Sequence, residues 1–280
     1  MSGYHLGLLV LLSFNVIAAY AVYLPLAAGQ LNLGIAGFMV VGAYAASYLT
    51  NEMGWPVAGA IACSGALAAA VALVVAIPIL RTHGIYLALA TFALGQVIAA
   101  VFLNLEVVGG AAGYPVTAHI GAVAVIGTAV AVIAFMALLS TTRFALYLTA
   151  VKSDPLVSDL MGIDIRFIKV AAFTLGAAVA GIGGGLYAHY FNYIEAQYFS
   201  VMLSVYTVLY VLLGGTQTVW GPLVGALIFT LMPELLRASA QWRYALFAMF
   251  IILFMAARPQ GLLTTGFGGY LRKRFSREAV

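Results

Sequence analysis

Charged residues are scarce in this chain. Asp, Glu, Lys and Arg make up 7% of its 280 residues, whereas hydrophobic residues make up 65%. About a quarter of the residues in a typical soluble domain are charged, so this composition excludes a soluble globular fold. The 12 Lys and Arg against 8 Asp and Glu give a net charge of +4, which requires no nucleic-acid partner. The composition predicts an all-α polytopic integral membrane protein, held in a lipid bilayer.

Residues suited to covalent, metal or nucleotide chemistry are also few. Cys63 is the single cysteine, which excludes an internal disulfide and a cysteine metal cluster. The glycine-rich segment 214–221, GGTQTVWG, lacks the lysine of a phosphate-binding loop. The sequence contains no HExxH or GxSxG motif. We therefore expect no enzyme activity, and no metal or cofactor bound by this chain.

Apolar runs long enough to cross a bilayer recur along the chain. A transmembrane helix needs about 20 mostly apolar residues. We predict about nine such helices, within a range of eight to ten, in a single transmembrane domain over 1–280. The predicted spans are 6–28, 31–50, 56–80, 84–105, 118–140, 167–190, 199–214, 218–236 and 243–257. Short or glycine-rich spans such as 31–50 and 199–214 are typical of broken helices beside a transport path, and equally of tilted helices.

The distribution of Lys and Arg predicts the orientation in the membrane. Basic residues concentrate in cytoplasmic loops. If 141–166 is cytoplasmic, nine alternating spans put every Lys and Arg except Arg237 and Arg243 on the cytoplasmic side. The N-terminus and 106–117 then face outwards, and the basic tail at 270–280 faces inwards.

The predicted spans contain almost no ionisable residue away from their ends. Ion-coupled carriers usually keep a charged group in mid-membrane, where it costs about 2.5–3.5 kcal/mol on insertion scales and is retained for function. Its absence disfavours a secondary transporter. The polar groups that remain are uncharged and include Gln30, Asn32, Thr91 and Gln96. These four residues fit a path for a neutral or zwitterionic solute, and they equally fit hydrogen bonds between helices.

A polar segment, Thr149–Lys169, interrupts the apolar runs. Asp154 and Pro155 are typical of a helix N-cap and first helical position, and Gly162 fits the left-handed position just past a helix end. The residues between them include an apolar stripe: Leu156, Val157, Leu160 and Met161. The pattern predicts a short helix with exposed apolar residues at the membrane surface. Such a helix could dock another protein, such as an ATPase that drives transport, or it could belong to an ordinary cytoplasmic loop.

Several stretches, in order along the chain, resemble the permease subunits of branched-chain amino-acid ABC importers, the LivM and LivH type. They are GQLNLGIAGFMVVGAYAASYL (29–49), RTHGIYLALATFALGQVI (81–98), VKSDPLVSDLMGIDIRFIKVAAFTLGAAVAGIGGGLYAHY (151–190), LYVLLGGTQTVWGPLVGALIFTLMPELLR (209–237) and RPQGL (258–262). Together these stretches cover well over half of the chain. They fit the LivM type better than the LivH type.

The resemblance implies a transport subunit in a bacterial inner membrane rather than an enzyme. It implies a homologous second permease, two ATP-binding cassette subunits that bind ATP and Mg, and a periplasmic solute-binding protein. The segment 151–163 falls on the cytoplasmic coupling helix of the family. Contact with the ATPase is then expected of six residues: Asp154, Leu156, Asp159, Leu160, Met161 and Gly162.

One position departs from the family pattern. Ile35 stands where the family usually has His, and Asn32 replaces a Ser. If that His shapes the path, the solute here differs from leucine, isoleucine and valine. Relatives of the family also carry urea, short amides and aromatic acids. An ion-coupled secondary transporter or a channel for a small neutral solute is the alternative to the importer.

Overall fold

The structure, a computed structural model, describes residues 3–235, 248–249, 251–253, 256 and 261–263. Between residues 3 and 235 the chain is predominantly helical. Its α-helices are α1 (Gly3–Ala27), α2 (Ile35–Asn51), α3 (Val57–Ile79), α4 (Ile85–Asn104), α5 (Ala122–Ser140), α6 (Arg143–Ser153), α7 (Pro155–Leu160), α8 (Ile165–Phe191), α9 (Val201–Gly214) and α10 (Gly221–Leu235). Short 3₁₀ turns occupy Glu106–Val108, Gly110–Ala112 and Ala196–Tyr198, and two short strands are β1 (Tyr114–Pro115) and β2 (Tyr193–Ile194).

The first eight predicted spans each overlap one of these helices. Six helical segments are long and apolar enough to cross a membrane: Gly3–Ala27, Val57–Ile79, Ile85–Asn104, Ala122–Ser140, Ile165–Phe191 and Ala196–Gly214. The helices α2 and α10 have only 17 and 15 residues. The ninth predicted span, 243–257, lies largely outside the described residues. The chain is a multi-pass helical membrane protein, and the count of nine spans stays a prediction.

Helix α8 lies at the centre of the bundle, against α1, α2 and α3. Its glycines allow backbone contact with α2. A Cβ at Gly184 would overlap the carbonyl oxygen of Met39, and a Cβ at Gly42 would overlap that of Gly181. Small residues at helix interfaces permit such approach, and the resulting dispersion contacts hold membrane helices together. The interface between α2 and α8 therefore depends on the absence of side chains at these positions.

One end of the bundle is closed by loops that pair with each other. Strands β1 and β2 are antiparallel, with Tyr114 opposite Ile194. Asn192, in the left-handed conformation with φ of 58°, ends α8 and donates its side-chain amide to the Val116 carbonyl at 3.0 Å. The Asn51 amide, at the end of α2, donates to the Pro115 carbonyl at 2.8 Å. These contacts fix the segment 106–117 against the ends of α2 and α8.

The close contact between α2 and α8 generates the first prediction. In Gly184→Ala, the added methyl group meets backbone atoms that cannot rotate away, so the two helices must separate. We expect a loss of about 1–3 kcal/mol in the free energy of unfolding. Thermal unfolding of the purified protein in detergent measures it.

Gly127→Ala is the matched control, because a Cβ at this glycine in α5 meets nothing within 4 Å. Alanine is about 0.5–1 kcal/mol better than glycine inside a helix, so the control should be neutral or slightly stabilised. Equal melting temperatures for the two variants would show that α2 and α8 are not in backbone contact.

Candidate functional site

The short helix α7 has the caps that its sequence predicts. The Asp154 carboxylate accepts a hydrogen bond from the Val157 amide at 3.1 Å, and Pro155 occupies the first turn. Gly162 follows the helix with φ of 80°, and its amide donates to the Asp159 carbonyl at 2.9 Å. A left-handed residue satisfies the last carbonyls of a helix and turns the chain away. The caps thus define a helix of six residues.

Three apolar side chains of α7 and its C-cap point away from the protein. Leu156 is 72% exposed, Leu160 81% and Met161 78%. Ser158 faces the opposite way and is buried, with its hydroxyl donating to the Asp154 carbonyl at 2.8 Å. An exposed cluster of large apolar side chains is typical of an interaction surface. We call the cluster of Leu156, Leu160 and Met161 the α7 knob.

Helix α6 connects the α7 knob to the rest of the bundle. The sequence predicts no helix here and only places 141–166 on the cytoplasmic side. Leu148 and Val151, three residues apart, are buried and fix α6 on the bundle. Lys152 donates from Nζ to the Thr216 hydroxyl at 2.9 Å, which joins α6 to the turn after α9. Partial desolvation lowers the pKa of Lys152.

A cavity of about 810 Å³ lies at this end of the bundle, between α1, α5, α6 and the turn after α9. Its walls combine the ammonium group of Lys152 and the indole of Trp220 with apolar side chains such as Leu24 and Met136. Two of the elements that form its wall, α6 and the turn after α9, are joined by the hydrogen bond between Lys152 and Thr216. Movement of α6 would change its shape.

Three of the four predicted path residues lie at or beside a break between α1 and α2. The segment 28–34 is not helical, although most of it is buried. Thr91 reaches it from α4, where its hydroxyl accepts from the Leu33 amide at 3.0 Å. The side-chain carbonyl of Asn32 accepts from the Gly34 amide at 2.8 Å. Irregular backbone at membrane depth is tolerated only inside protein or beside a water-filled cavity.

The amide groups at this break are incompletely hydrogen-bonded. Gln30 and Asn32 are each 1% exposed. Neither polar atom of the Gln30 side chain has a partner among the described residues, nor does the Asn32 side-chain nitrogen. A buried amide without a partner costs about 1–3 kcal/mol. These atoms therefore keep unused hydrogen-bonding capacity inside the protein.

Gln96 does not join this group. It lies one turn beyond Thr91 along α4, but its side chain is exposed on the outer face of that helix. The four residues predicted to line one path are therefore divided between a buried break and an external surface.

A second cavity, of about 460 Å³, was missed by the sequence reasoning. It lies between α1, the C-terminal end of α8 and α9. Aromatic rings form much of its wall: Phe14, Tyr187, Tyr190, Phe191, Tyr198, Phe199, Tyr206 and Tyr210. The sequence signal for this cavity was the helical spacing of aromatic residues, at 187, 190 and 191 in α8 and at 206 and 210 in α9. Its polar lining is uncharged, so it suits an apolar or aromatic group.

The described residues thus form a polytopic helical membrane protein with a buried helix break, two cavities between helices and an exposed apolar knob. No solved structure matches the chain. Residues 4–257 match the family model of the permease component of branched-chain amino acid transport systems. The chain belongs to that family, which confirms the resemblance seen in its sequence.

Two curated relatives illustrate the relationship. The chain is 26% identical to the high-affinity branched-chain amino acid transport system permease protein LivM of Escherichia coli (strain K12), over 84% of this chain and 64% of that protein. It is 26% identical to the LivH permease of the same strain, over 47% of this chain and 45% of that protein. The match to LivM covers less than two thirds of the LivM sequence. It covers a larger share of this chain than the match to LivH does.

The left-handed turn after α7 generates the second prediction. In Gly162→Val, nothing within 4 Å obstructs the side chain, so the cost is backbone strain alone. That strain is about 1–2 kcal/mol and would unwind the end of α7. We expect solute uptake by the assembled transporter to fall several-fold, while the amount of folded protein changes little.

Gly162→Asn is the matched control, because asparagine tolerates the left-handed conformation far better than valine. It should retain most of the uptake. Full uptake in Gly162→Val would show that the conformation of this turn does not matter to transport.

Proposed function

We propose that the protein is the membrane-spanning permease subunit of an ATP-driven ABC importer. Its solute would be an amino acid of the branched-chain type or a related small solute. A periplasmic binding protein would deliver the solute, and two separate ATPase subunits would bind ATP and Mg. A homologous second permease would complete the path across a bacterial inner membrane. The observation that carries the proposal is the α7 knob, together with membership of the permease family.

The chemistry of the α7 knob fits a groove on an ATPase subunit. Burial of Leu156, Leu160 and Met161 would contribute about 25 cal/mol for each Å² removed from water. The Asp159 carboxylate is exposed and has no ion pair within the described part of the chain, so it is free to meet a basic residue of the partner. Asp154 would act indirectly by holding the start of α7.

Contacts within the bundle provide a route from the α7 knob to the cavities. A displacement of α7 would move α6, which adjoins it at Asp154. The hydrogen bond between Lys152 and Thr216 would then pull on the turn that follows α9. Helix α9 lines both cavities. The proposed coupling therefore changes the shape of both spaces without requiring a charge inside the membrane.

We also propose that the break at 28–34 contributes to the solute path. The free amide atoms of Gln30 and Asn32 can bind the polar part of a solute without a net charge. Ile35, at the position where the family usually has His, is fully buried and lines neither cavity. Its effect on the choice of solute would therefore act through the packing of the break.

The proposed orientation is the third prediction. We expect 106–117 to face the periplasm and 141–166 the cytoplasm, because basic residues favour the cytoplasmic side. Single cysteines at Val107 and Thr141, both exposed, test it in a Cys63→Ser chain. A membrane-impermeant thiol reagent added to intact cells should label Val107→Cys and spare Thr141→Cys until the membrane is opened. The reverse pattern would invert the topology.

The central test of the proposal is Leu160→Glu. If the α7 knob lies in an ATPase groove, the glutamate is buried there without a partner, at a cost of about 3–5 kcal/mol. We expect the variant to reach the membrane and melt normally, because Leu160 is exposed in the isolated chain. The ATPase should be lost on purification, and binding protein with its solute should no longer stimulate ATP hydrolysis.

Leu160→Met is the control, because it keeps the apolar surface and should leave assembly intact. An assembled, solute-stimulated Leu160→Glu complex would contradict a coupling role for α7. The ion-coupled alternative is tested in vesicles that contain ATP. Uptake that survives a protonophore is expected of the importer, and uptake abolished by it would favour a secondary transporter.

A further inference from the structure

Gln96 occupies an unusual position for a polar side chain in a membrane helix. It lies near the middle of α4, faces outwards and makes no hydrogen bond to described residues. Asn15, the corresponding amide of α1, instead donates to the Thr230 hydroxyl at 2.9 Å. Within the described spans, Gln96 is thus the one exposed amide or charged side chain remote from a helix end.

Lipid hydrocarbon cannot form hydrogen bonds with the side-chain amide of Gln96. Hydrocarbon offers no hydrogen bonds, so an amide that faces it loses those it makes in water. The C-terminal part of α3 exposes large apolar side chains, Leu73, Val74 and Ile77, which suit contact with lipid. The exposed face of α4 differs because it carries an amide, that of Gln96, which lies between Ala93 and Ala100.

The three residues follow helix-packing geometry. Positions 93, 96 and 100 recur at intervals of three and four, which places them on one side of α4. Alanines let a second helix approach closely, and an amide between them can form a hydrogen bond across the interface. Val97 and Phe92 flank this surface and are 59% and 37% exposed. We call the surface of Phe92, Ala93, Gln96, Val97 and Ala100 the α4 face.

The opposite side of α4 is held firmly by α2 and the break before it. A Cβ at Gly37 would lie 2.8 Å from the Gly95 Cα, so the two backbones are in close contact. The hydrogen bond from the Leu33 amide to Thr91 adds a second attachment. Helix α4 cannot rotate to bury Gln96 without breaking these contacts. The amide therefore has no hydrogen-bond partner in the part of this chain that the structure describes.

We infer that the α4 face packs against a helix of the second permease subunit, a chain of the same fold, and that Gln96 hydrogen-bonds across this interface. The inference rests on the proposed function, which requires a second permease. Such a partner also spans the membrane, so its helices reach the depth at which Gln96 lies. A water-soluble binding protein or ATPase does not reach mid-membrane.

Photo-crosslinking tests the location of the interface in membranes that contain the complete transporter. Benzoylphenylalanine is placed at Val97, on the α4 face, or at Val74 on α3, which is 71% exposed. We expect Val97 to yield an adduct whose second chain is a permease of this fold, identified by mass spectrometry. Val74 should yield no protein adduct. A second copy of this chain and a homologous permease both satisfy the prediction and are told apart by their peptides.

Substitution of Gln96 tests the hydrogen bond. Gln96→Leu should weaken association of the two permeases by about 3- to 30-fold in detergent, the range expected for one interhelical hydrogen bond. Gln96→Asn should lose less, because it keeps the amide. If the α4 face met lipid, leucine would be neutral or would improve stability. Unchanged melting of the isolated chain confirms that the variants are folded.

The outcomes separate the two proposals. A second permease that co-purifies but crosslinks from Val74 and not from Val97 overturns the α4 face and leaves the importer function intact. If Val97 crosslinks only to lipid in a transporter that contains the second permease, the α4 face is also overturned and the importer function stays intact. A transporter that purifies with no second permease overturns the proposed function and this inference together.

Discussion

Backbone contact between α8 and α2 is the constraint on which the rest of the structure depends. A bilayer provides no hydrophobic drive for helices to associate, so packing and hydrogen bonds must do so. At Gly184 and Gly42 the contact is close enough that one methyl group would displace a backbone carbonyl. Helix α3 joins the same centre, since a Cβ at Gly65 would lie 2.7 Å from Ile182 Cγ1. The three helices therefore form one rigid unit.

The break between α1 and α2 depends on that unit. Residues 28–34 leave backbone groups without helical partners, which lipid would not tolerate. The surrounding helices supply partners: the Thr91 hydroxyl for the Leu33 amide, and the Ser204 hydroxyl for the Ala36 amide at 3.0 Å. These two backbone amides are hydrogen-bonded, whereas the side-chain amides of Gln30 and Asn32 are incompletely so. The side-chain amides, rather than the backbone, are therefore the groups that we propose to meet the solute.

Features set by residues close together in the chain could be predicted from the sequence. Contacts between residues far apart in the chain could not. The helix at α7 follows from Asp154, Pro155 and Gly162, whose effects act within one turn. Apolar runs likewise located the longer helices. The pairing of Tyr114 with Ile194 and the hydrogen bond from Leu33 to Thr91 join residues far apart in the chain, with no periodic signal between them. Gln96 was grouped with Asn32 because both are polar, although the fold turns them to different surfaces.

The two proposed surfaces are connected through the rigid unit. Asp164 caps α8 by accepting from the Phe167 amide at 2.9 Å, and only a few residues separate it from the end of α7. A force on α7 therefore reaches α8 through a short, capped connection. Helix α8 is packed on α2, and α2 is packed on α4 at Gly37 and Gly95. Since glycine contacts leave no side chains to rearrange, displacement of α8 must carry α2 and α4 with it. A movement at the α7 knob would thus arrive at the α4 face as a shift of whole helices, which is the kind of motion that opens or closes a path between two subunits.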